Sequence, residues 1–224
     1  MKTETKPIVI FGAGDIASVA HFYFTHDSPR DVAAFTVDRD FLNENSLSGL
    51  PVVPFEEVAL RYPPEGFDLF VAVSYSQMNQ VRARKCEEAK KLGYRLASYI
   101  SSRATIWPGL ETGENSFILE DNTIQPFVKI GNHVTLWSGN HIGHHAEIGD
   151  NCFITSHVVI SGGVKLLPNS FIGVNATIRD HVTIAPFCVI GAATLILKDT
   201  QESGVYIGNP AELSSVPSHR LKKI

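Results

Sequence analysis

The chain has 224 residues, of which 44% are hydrophobic and 19% charged, and its formal net charge is −4 at pH 7. This composition is ordinary for a folded protein of one or two domains, and the mild acidity argues against a nucleic-acid partner. The longest apolar runs are too short to cross a bilayer, and the first residues lack the apolar core of a secretory signal. We therefore expect a cytoplasmic protein with no membrane partner.

Up to about residue 100, the sequence alternates predicted strands and helices. The strands are expected at residues 8–11, 32–37, 67–73 and 96–100, and the helices at residues 15–25, 55–61 and 77–92, with a turn-rich stretch around Gly49 and Pro51. Such alternation is typical of a small parallel sheet covered by helices. We predict a Rossmann-like α/β domain over residues 1–100.

A glycine-rich turn, Gly12-Ala13-Gly14, follows the first predicted strand and opens the first helix at Asp15, while Asp38 ends the second strand. This G-x-G-x-x-A arrangement can place a phosphate at a helix N-terminus, with an acidic residue available for a ribose or base. Asp15 lies where a phosphate would approach, and four strands are fewer than a dinucleotide fold needs, so a nicotinamide cofactor is disfavoured. The alternative is a tight turn that requires glycine for backbone reasons alone.

From residue 118 to residue 196, every sixth residue is Ile or Leu, and the residue two places before each is compact or β-branched. Neither a helix nor an ordinary strand has this period. It is typical of a parallel β-helix, in which three hexapeptides form one triangular coil and residues eighteen apart stack at about 4.8 Å. We predict an all-β helix of this kind over residues 101–198 and a C-terminal cap or tail over residues 199–224.

The hexapeptide region also contains six of the nine histidines. No two of them have the spacing of the zinc ligands in trimeric β-helix carbonic anhydrases, so no metal is expected. His133 and His181 are interpreted as solvated corner residues. His144 is different, because it follows the phased Ile142 on the outer surface and Gly162 should stack above it. An imidazole beneath a glycine amide could act as a general base close to an oxyanion donor.

Two segments resemble those of a known family. Residues 142–150 read Ile-Gly-His-His-Ala-Glu-Ile-Gly-Asp, and residues 204–211 read Gly-Val-Tyr-Ile-Gly-Asn-Pro-Ala. Both are similar to motifs of the NeuD/PglD group of bacterial nucleotide-aminosugar N-acetyltransferases, which are hexapeptide-repeat enzymes with a left-handed β-helix. The glycine-rich turn and the two-part layout match as well, so the similarity covers nearly the whole chain.

The resemblance implies a homotrimer that transfers an acyl group, expected to be acetyl, from acyl-CoA to the amino group of a nucleotide-linked deoxysugar used in surface glycans. It implies that His144 is the general base, followed by His145 at the second catalytic position, and that no metal takes part. The residues implied at acyl-CoA are Gly162, Gly191, Ala192 and Lys198. Those implied at the nucleotide-sugar are Gly12, Gly14, Asp15, Asp38, Trp137 and Phe153.

Three positions depart from the family pattern. His145 replaces the acid that commonly follows the base, so Glu147, Asp150 or a neighbouring chain would have to orient His144. Trp137 and Phe153 replace an Asn and a His, and could stack on a sugar face. Two further functions stay open: O-acetylation of a sugar hydroxyl, and binding of a nucleotide-sugar without turnover. The nucleobase, the carbon that bears the amine and the length of the acyl group are not determined by the sequence.

Overall fold

The computed structural model describes residues 5–210 and residue 220. Residues 1–4 of the predicted front domain lie outside the described residues, as does half of the predicted C-terminal segment, residues 211–219 and 221–224, which includes Ala211 of its motif. Two structural units follow each other along the chain, a five-stranded sheet with helices and a three-sided β-helix. No helix in the described ranges combines the length and the apolar character needed to span a membrane.

The front unit is built on a sheet with the strand order β3-β4-β2-β1-β5. The strands are β1 (Ile8–Phe11), β2 (Val32–Val37), β3 (Ser46–Leu47), β4 (Leu50–Pro54) and β5 (Asp68–Val71). The helices are α1 (Asp15–His26), α2 (Val58–Arg61) and α3 (Gln80–Lys91), with short 3-10 helices at Arg39–Phe41 and Phe55–Glu57. All pairings are parallel except the β3–β4 hairpin. The strands β1 and β5 are buried along their whole length, as expected of a parallel sheet covered on both faces.

Two strand predictions for this unit were wrong. The stretch around Gly49 and Pro51 forms the β3–β4 hairpin, in which the proline is tolerated near the start of its strand. The strand expected at residues 96–100 does not join the front sheet, because Leu96 makes only an isolated bridge to Leu69 and Tyr99–Ile100 pairs with the β-helix. A short apolar run does not reveal which of two sheets will accept it.

The second unit is a prism of two-residue strands arranged in three parallel sheets. Sheet I comprises β6 (Tyr99–Ile100), β9 (Phe117–Ile118), β12 (Thr135–Leu136), β15 (Phe153–Ile154), β18 (Phe171–Ile172), β21 (Val189–Ile190) and β23 (Val205–Tyr206). Sheet II comprises β7 (Thr105–Ile106), β10 (Thr123–Ile124), β13 (His141–Ile142), β16 (Val159–Ile160), β19 (Thr177–Ile178) and β22 (Leu195–Ile196). Sheet III comprises β8 (Glu111–Thr112), β11 (Lys129–Ile130), β14 (Glu147–Ile148), β17 (Lys165–Leu166) and β20 (Thr183–Ile184).

The register of the prism confirms the coil of three hexapeptides. Ile124, Ile142 and Ile160 are direct neighbours in sheet II, each eighteen residues from the next. The phased Ile and Leu side chains from Ile118 to Ile196 are almost completely buried and form one continuous core together with the compact residues that precede them. Removal of this apolar stack from water is the main driving force for the prism.

The corners of the prism are made by residues in the left-handed backbone region, such as His145 at φ 59° and Asn151 at φ 61°. Asn, Asp and His tolerate this conformation better than other residues that carry a side chain, which explains their repetition along the chain. Phe127 adopts it at φ 67° although its side chain is bulky, and its ring is 72% exposed.

The front unit packs on sheet I. The rings of Phe70 and Phe117 lie 5.3 Å apart, and Tyr75 contacts Phe153 and Phe171 at 5.2 and 4.8 Å. The side chain of Asn115, at the corner between sheets III and I, hydrogen-bonds both the N–H and the C=O of Val71. The corner between sheets II and III is therefore the part of the prism that points away from the front unit of its own chain.

Candidate active site

His144 and His145 lie exposed on the corner between sheets II and III, in the turn that joins β13 to β14. The backbone N–H of His144 donates to Oε1 of Gln125, one coil below, at 2.8 Å. The two imidazoles meet through their Nδ1 atoms at 3.1 Å. One Nδ1 must carry a proton and the other must accept it, so Nε2 of His144 is free to act as a base only when His144 donates through Nδ1.

Among the described residues, this contact with His145 is the only side-chain hydrogen bond to the His144 imidazole. The left-handed backbone of His145 turns its ring back along the corner, where it lies against Phe127 with 4.7 Å between ring centroids. Asp150 accepts a hydrogen bond from the N–H of Asn132 instead, and the described residues show no bond from Glu147 or Asp150 to His144. Phe127 was not predicted from the sequence, although a Phe at a corner position could have drawn attention to it.

Gly162 lies against the edge of the His144 ring. A Cβ built on Gly162 would be 2.7 Å from Cε1 and 2.8 Å from Nε2 of His144, so a side chain here would displace the imidazole. At equivalent corner positions the N–H groups of His144 and Asn132 donate to side chains of adjacent coils. Among the hydrogen bonds of the described residues, none is donated by the Gly162 N–H. The His144 imidazole, which can accept a proton, thus lies beside Gly162, whose backbone N–H is not engaged among the described residues.

The other residues implied at acyl-CoA lie on two different edges of sheet II. Lys198 is exposed and is the second residue after β22, as His144 is the second residue after β13, so it lies on the corner between sheets II and III. Gly191 and Ala192 follow β21 on the opposite edge, at the corner between sheets I and II. One chain alone does not bring all four residues together.

A cleft of about 330 Å³ opens beside the glycine-rich turn of the front unit. Its lining residues are Ala13, Val37, Phe41, Asn43, Glu44, Ser46, Leu47 and Val52. Asn43, Glu44 and Ser46 were not predicted from the sequence, because they belong to the hairpin region that was interpreted as a turn. The cleft combines apolar walls with a few polar groups, as small-molecule sites usually do.

The glycines of this turn have different structural roles. Gly12 has φ 126°, and a Cβ on it would be 2.7 Å from the carbonyl oxygen of Ala72, so both the backbone and the close approach of Ala72, directly after β5, require glycine. Gly14 precedes α1 and has open space around it. Asp15 is the exposed first residue of α1.

Asp38 does not line this cleft, and its expected contact with the nucleotide stays a prediction. Its carboxylate accepts a hydrogen bond from Nζ of Lys85 at 2.7 Å, and the same ammonium bonds Glu88 at 2.6 Å. Burial alone would lower the pKa of Lys85, but the bonds to the two carboxylates raise it. The Asp38 carboxylate is thus paired with Lys85, on the face of the sheet that carries α3.

Phe153 and Trp137 were expected at a sugar. Phe153 is only 2% exposed, and its ring packs against Tyr75 and Phe171 with the guanidinium of Arg82 5.6 Å from its centroid. It is a packing residue between the two units, so the expectation for Phe153 was wrong. Trp137 is half-buried and packs against the core beneath α1.

Comparison with known protein families finds a match to the bacterial transferase hexapeptide family (six repeats) over residues 127–162. No curated protein matches the sequence.

Among solved structures, PerB from Caulobacter crescentus, determined with CoA and GDP-perosamine, superimposes with a TM-score of 0.81 at 26% identity, covering 93% of this chain and 97% of that one. The acetyltransferase domain of PglB from Neisseria gonorrhoeae FA1090 has a TM-score of 0.80 at 23% identity, with 93% and 99% coverage. WeeI from Acinetobacter baumannii AYE has a TM-score of 0.78 at 20% identity, with the same coverage. At 23% and 20% identity, the similarities to PglB and WeeI show a shared fold only.

The fold and the matched repeats define the class: this chain is an acyltransferase of the hexapeptide-repeat type, built on a left-handed β-helix behind an α/β front unit. Within that class, the resemblance to the nucleotide-aminosugar N-acetyltransferases inferred from the sequence is confirmed.

Proposed function

We propose that this protein transfers the acetyl group of acetyl-CoA to the amino group of a nucleotide-linked amino-deoxysugar, in the synthesis of a surface glycan in the cytoplasm. The observation that carries the proposal is that Gly162 lies against the His144 imidazole and that its N–H donates no hydrogen bond among the described residues. The likeness to PerB, which was determined with CoA and GDP-perosamine, supports the choice of both substrates.

The chemistry follows from the two groups. An alkylammonium has no lone pair, so it first loses one proton to bulk water, and Nε2 of His144 takes a second proton from the nitrogen as the neutral amine attacks the thioester carbonyl. The carbonyl oxygen becomes an oxyanion, which the N–H of Gly162 can stabilise by a hydrogen bond. Collapse of the tetrahedral species expels CoA as a thiolate, and the proton held by the imidazole is available to it. In this proposal Nδ1 of His145 accepts a hydrogen bond from the Nδ1–H of His144, which leaves the lone pair on Nε2 of His144.

The acceptor must reach His144 from another copy of the chain. The cleft beside Gly12 belongs to the front unit on sheet I, whereas His144 lies on the opposite corner of the prism. Gly191 and Ala192 are likewise on the edge of sheet II away from His144. A homotrimer in which the two edges of sheet II face each other would assemble both sets of residues, with acyl-CoA in the groove between prisms.

In this proposal, residues 1–100 hold the nucleotide, residues 101–198 carry the acyl transfer and residues 199–224 cap the prism. Gly162 and Lys198 would contact acyl-CoA from one chain, and Gly191 and Ala192 from its neighbour. Gly12, Gly14 and Asp15 would lie at the nucleotide-sugar.

The test is a thiol-release assay with acetyl-CoA and GDP-, UDP- or dTDP-linked aminosugars, each run beside its hydroxyl counterpart, with GDP-perosamine as the first acceptor. We expect turnover with an amine, reduced about 10²–10⁴-fold in His144→Ala. The control is His26→Asn, which changes an exposed histidine in the last turn of α1, away from the prism edges that this proposal brings together. Thiol release with hydroxyl acceptors alone would establish O-acylation, and nucleotide-sugar binding without any release would establish a non-catalytic protein.

A further inference from the structure

A second cluster of titratable groups lies where α3 meets the corner between sheets III and I, far from His144. A cleft of about 300 Å³ opens there. Side-chain ligand atoms of Glu87 from α3, and of Glu114 and His133 from two successive coils of the prism, all lie within 4.8 Å of one another. The cluster joins the two units of the chain.

His133 is the residue that makes this cluster more than a group of acids. It is 6% exposed, so its interpretation as a solvated corner residue was wrong. Its Nδ1 lies 2.9 Å from Oδ1 of Asn151, an oxygen that can only accept, so Nδ1 carries the proton and Nε2 has the lone pair. This buried Nε2 has no hydrogen-bond partner among the described residues, although a buried polar atom without a partner costs about 1–3 kcal/mol.

The lone pair of Nε2 faces the two carboxylates. Oε1 of Glu114 is 3.8 Å from Nε2, which is too far for a hydrogen bond but close to the separation of about 3.4 Å between neighbouring ligands of a tetrahedral zinc ion. A hydrogen bond from Asn151 to the other ring nitrogen is also the usual way in which a metal-binding imidazole is oriented.

Lys90 supplies positive charge to the same carboxylates. Its ammonium is 2.7 Å from Glu114 and 3.4 Å from Glu87, and the bond to Glu114 raises the pKa of Lys90. The Lys90 side chain is 42% exposed, so it can swing into solvent when a cation of higher charge replaces it.

We propose that Glu87, Glu114 and His133 bind a divalent transition-metal ion, with zinc as the ion best suited to one imidazole and two carboxylates. A water molecule completes the coordination from the cleft. The ion fixes α3 of the front unit to the prism and thereby sets the position of the cleft beside Gly12 relative to sheet I. This role is independent of the acyl-transfer chemistry at His144.

The experiment measures zinc binding to the full chain after treatment with a chelator, by competition with a chromophoric chelator and by thermal denaturation. It is done in the His144→Ala background, so that the paired imidazoles of the other corner do not bind the ion. We expect one zinc per chain and a melting temperature raised by about 5 °C at saturation. His133→Asn, which keeps a residue suited to the left-handed backbone, should weaken zinc binding at least about 100-fold.

Three further variants make the result decisive. Glu87→Gln changes an exposed helix residue, so the variant should fold as the parent does, and it should also abolish the thermal shift. Lys90→Met removes the competing ammonium and should tighten zinc binding, which a purely structural role of Lys90 would not predict. His181→Asn is the matched control at an exposed corner and should bind zinc as the parent does. Equal zinc affinity in the parent, His133→Asn and Glu87→Gln would overturn the proposal, as would weaker binding in Lys90→Met.

Discussion

Replacement of Arg82 by Met should destabilise the contact between the two units more than any other single change on α3. Arg82 is 1% exposed and has no carboxylate partner among the described residues. Its guanidinium instead donates to backbone carbonyls of both units. The acceptors are Val73, Ser74, His133, Asn151 and Cys152, at 3.0–3.4 Å. Burial lowers the pKa of Arg82 to about 10, which still leaves it charged at neutral pH.

The magnitude follows from the acceptors that Met would leave without a donor. The three shortest bonds reach Ser74, His133 and Asn151 at 3.0, 3.1 and 3.1 Å. An unsatisfied buried carbonyl costs about 1–3 kcal/mol, and the lower end applies here because each oxygen keeps a second lone pair. The expected loss is therefore about 3 kcal/mol, or about 6–12 °C in melting temperature for a chain of this size.

Thermal denaturation of Arg82→Met and Arg84→Met, followed by circular dichroism, measures this loss. Arg84 lies on the same helix with a side chain that is 55% exposed, so its replacement should change the melting temperature by no more than about 1–2 °C. Hydrogen exchange should show faster opening of α3 in Arg82→Met while the prism stays protected. Equal melting temperatures for the two variants would refute the assignment of Arg82 as the main polar contact between the units.

Two other predictions follow from local geometry. Gly162→Ala should lower the turnover of acetyl-CoA about 100-fold without lowering the melting temperature, because the new methyl displaces an exposed His144 ring. The control Gly66→Ala, whose methyl would make only ordinary contacts, should leave turnover unchanged. Unchanged turnover in Gly162→Ala would show that the position of the His144 ring is unimportant. The pKa of Asp27 is held far below its ordinary value by hydrogen bonds from Ser102, Tyr99 and Ser101. The stabilisation of the fold by ionised Asp27 is complete above the unfolded-state pKa of about 3.9 and is lost as the pH falls further. The melting temperature of the wild type should therefore drop more steeply below about pH 4 than that of Asp27→Asn. Parallel pH profiles of the two melting temperatures would contradict this.

Much of the prism was predictable because its signal is periodic. The Ile and Leu residues recur every six positions, which is the number of residues on one side of the coil, and each of these side chains points into the core. The stacking of Gly162 above His144 follows from the same period, since the two are eighteen residues apart. In the front unit, β1, β2 and α1 were predicted correctly. Strand β4 was missed because Gly49 and Pro51 are residues that usually indicate a turn.

Side-chain partners were much less predictable. Phe153 has an outward position that would suit a sugar, yet Tyr75 and Phe171 cover it. Asp38 follows the end of a strand as a ribose-binding acid would, yet it forms an ion pair with Lys85 from α3. In both cases the deciding residue comes from a distant element, and no local pattern records which distant element will pack there.

The amino-acid sequence by itself determined the coil and its register, because a six-residue repeat of apolar side chains can be buried in essentially one way. The class of enzyme was implied by the resemblance of residues 142–150 and 204–211 to a known family. Only the tertiary structure decided that His145 hydrogen-bonds His144, that the front unit covers sheet I, and that Glu87 meets Glu114 and His133. These contacts depend on how separate elements dock, and docking is decided by the shape and charge of whole surfaces rather than by the spacing of residues along the chain.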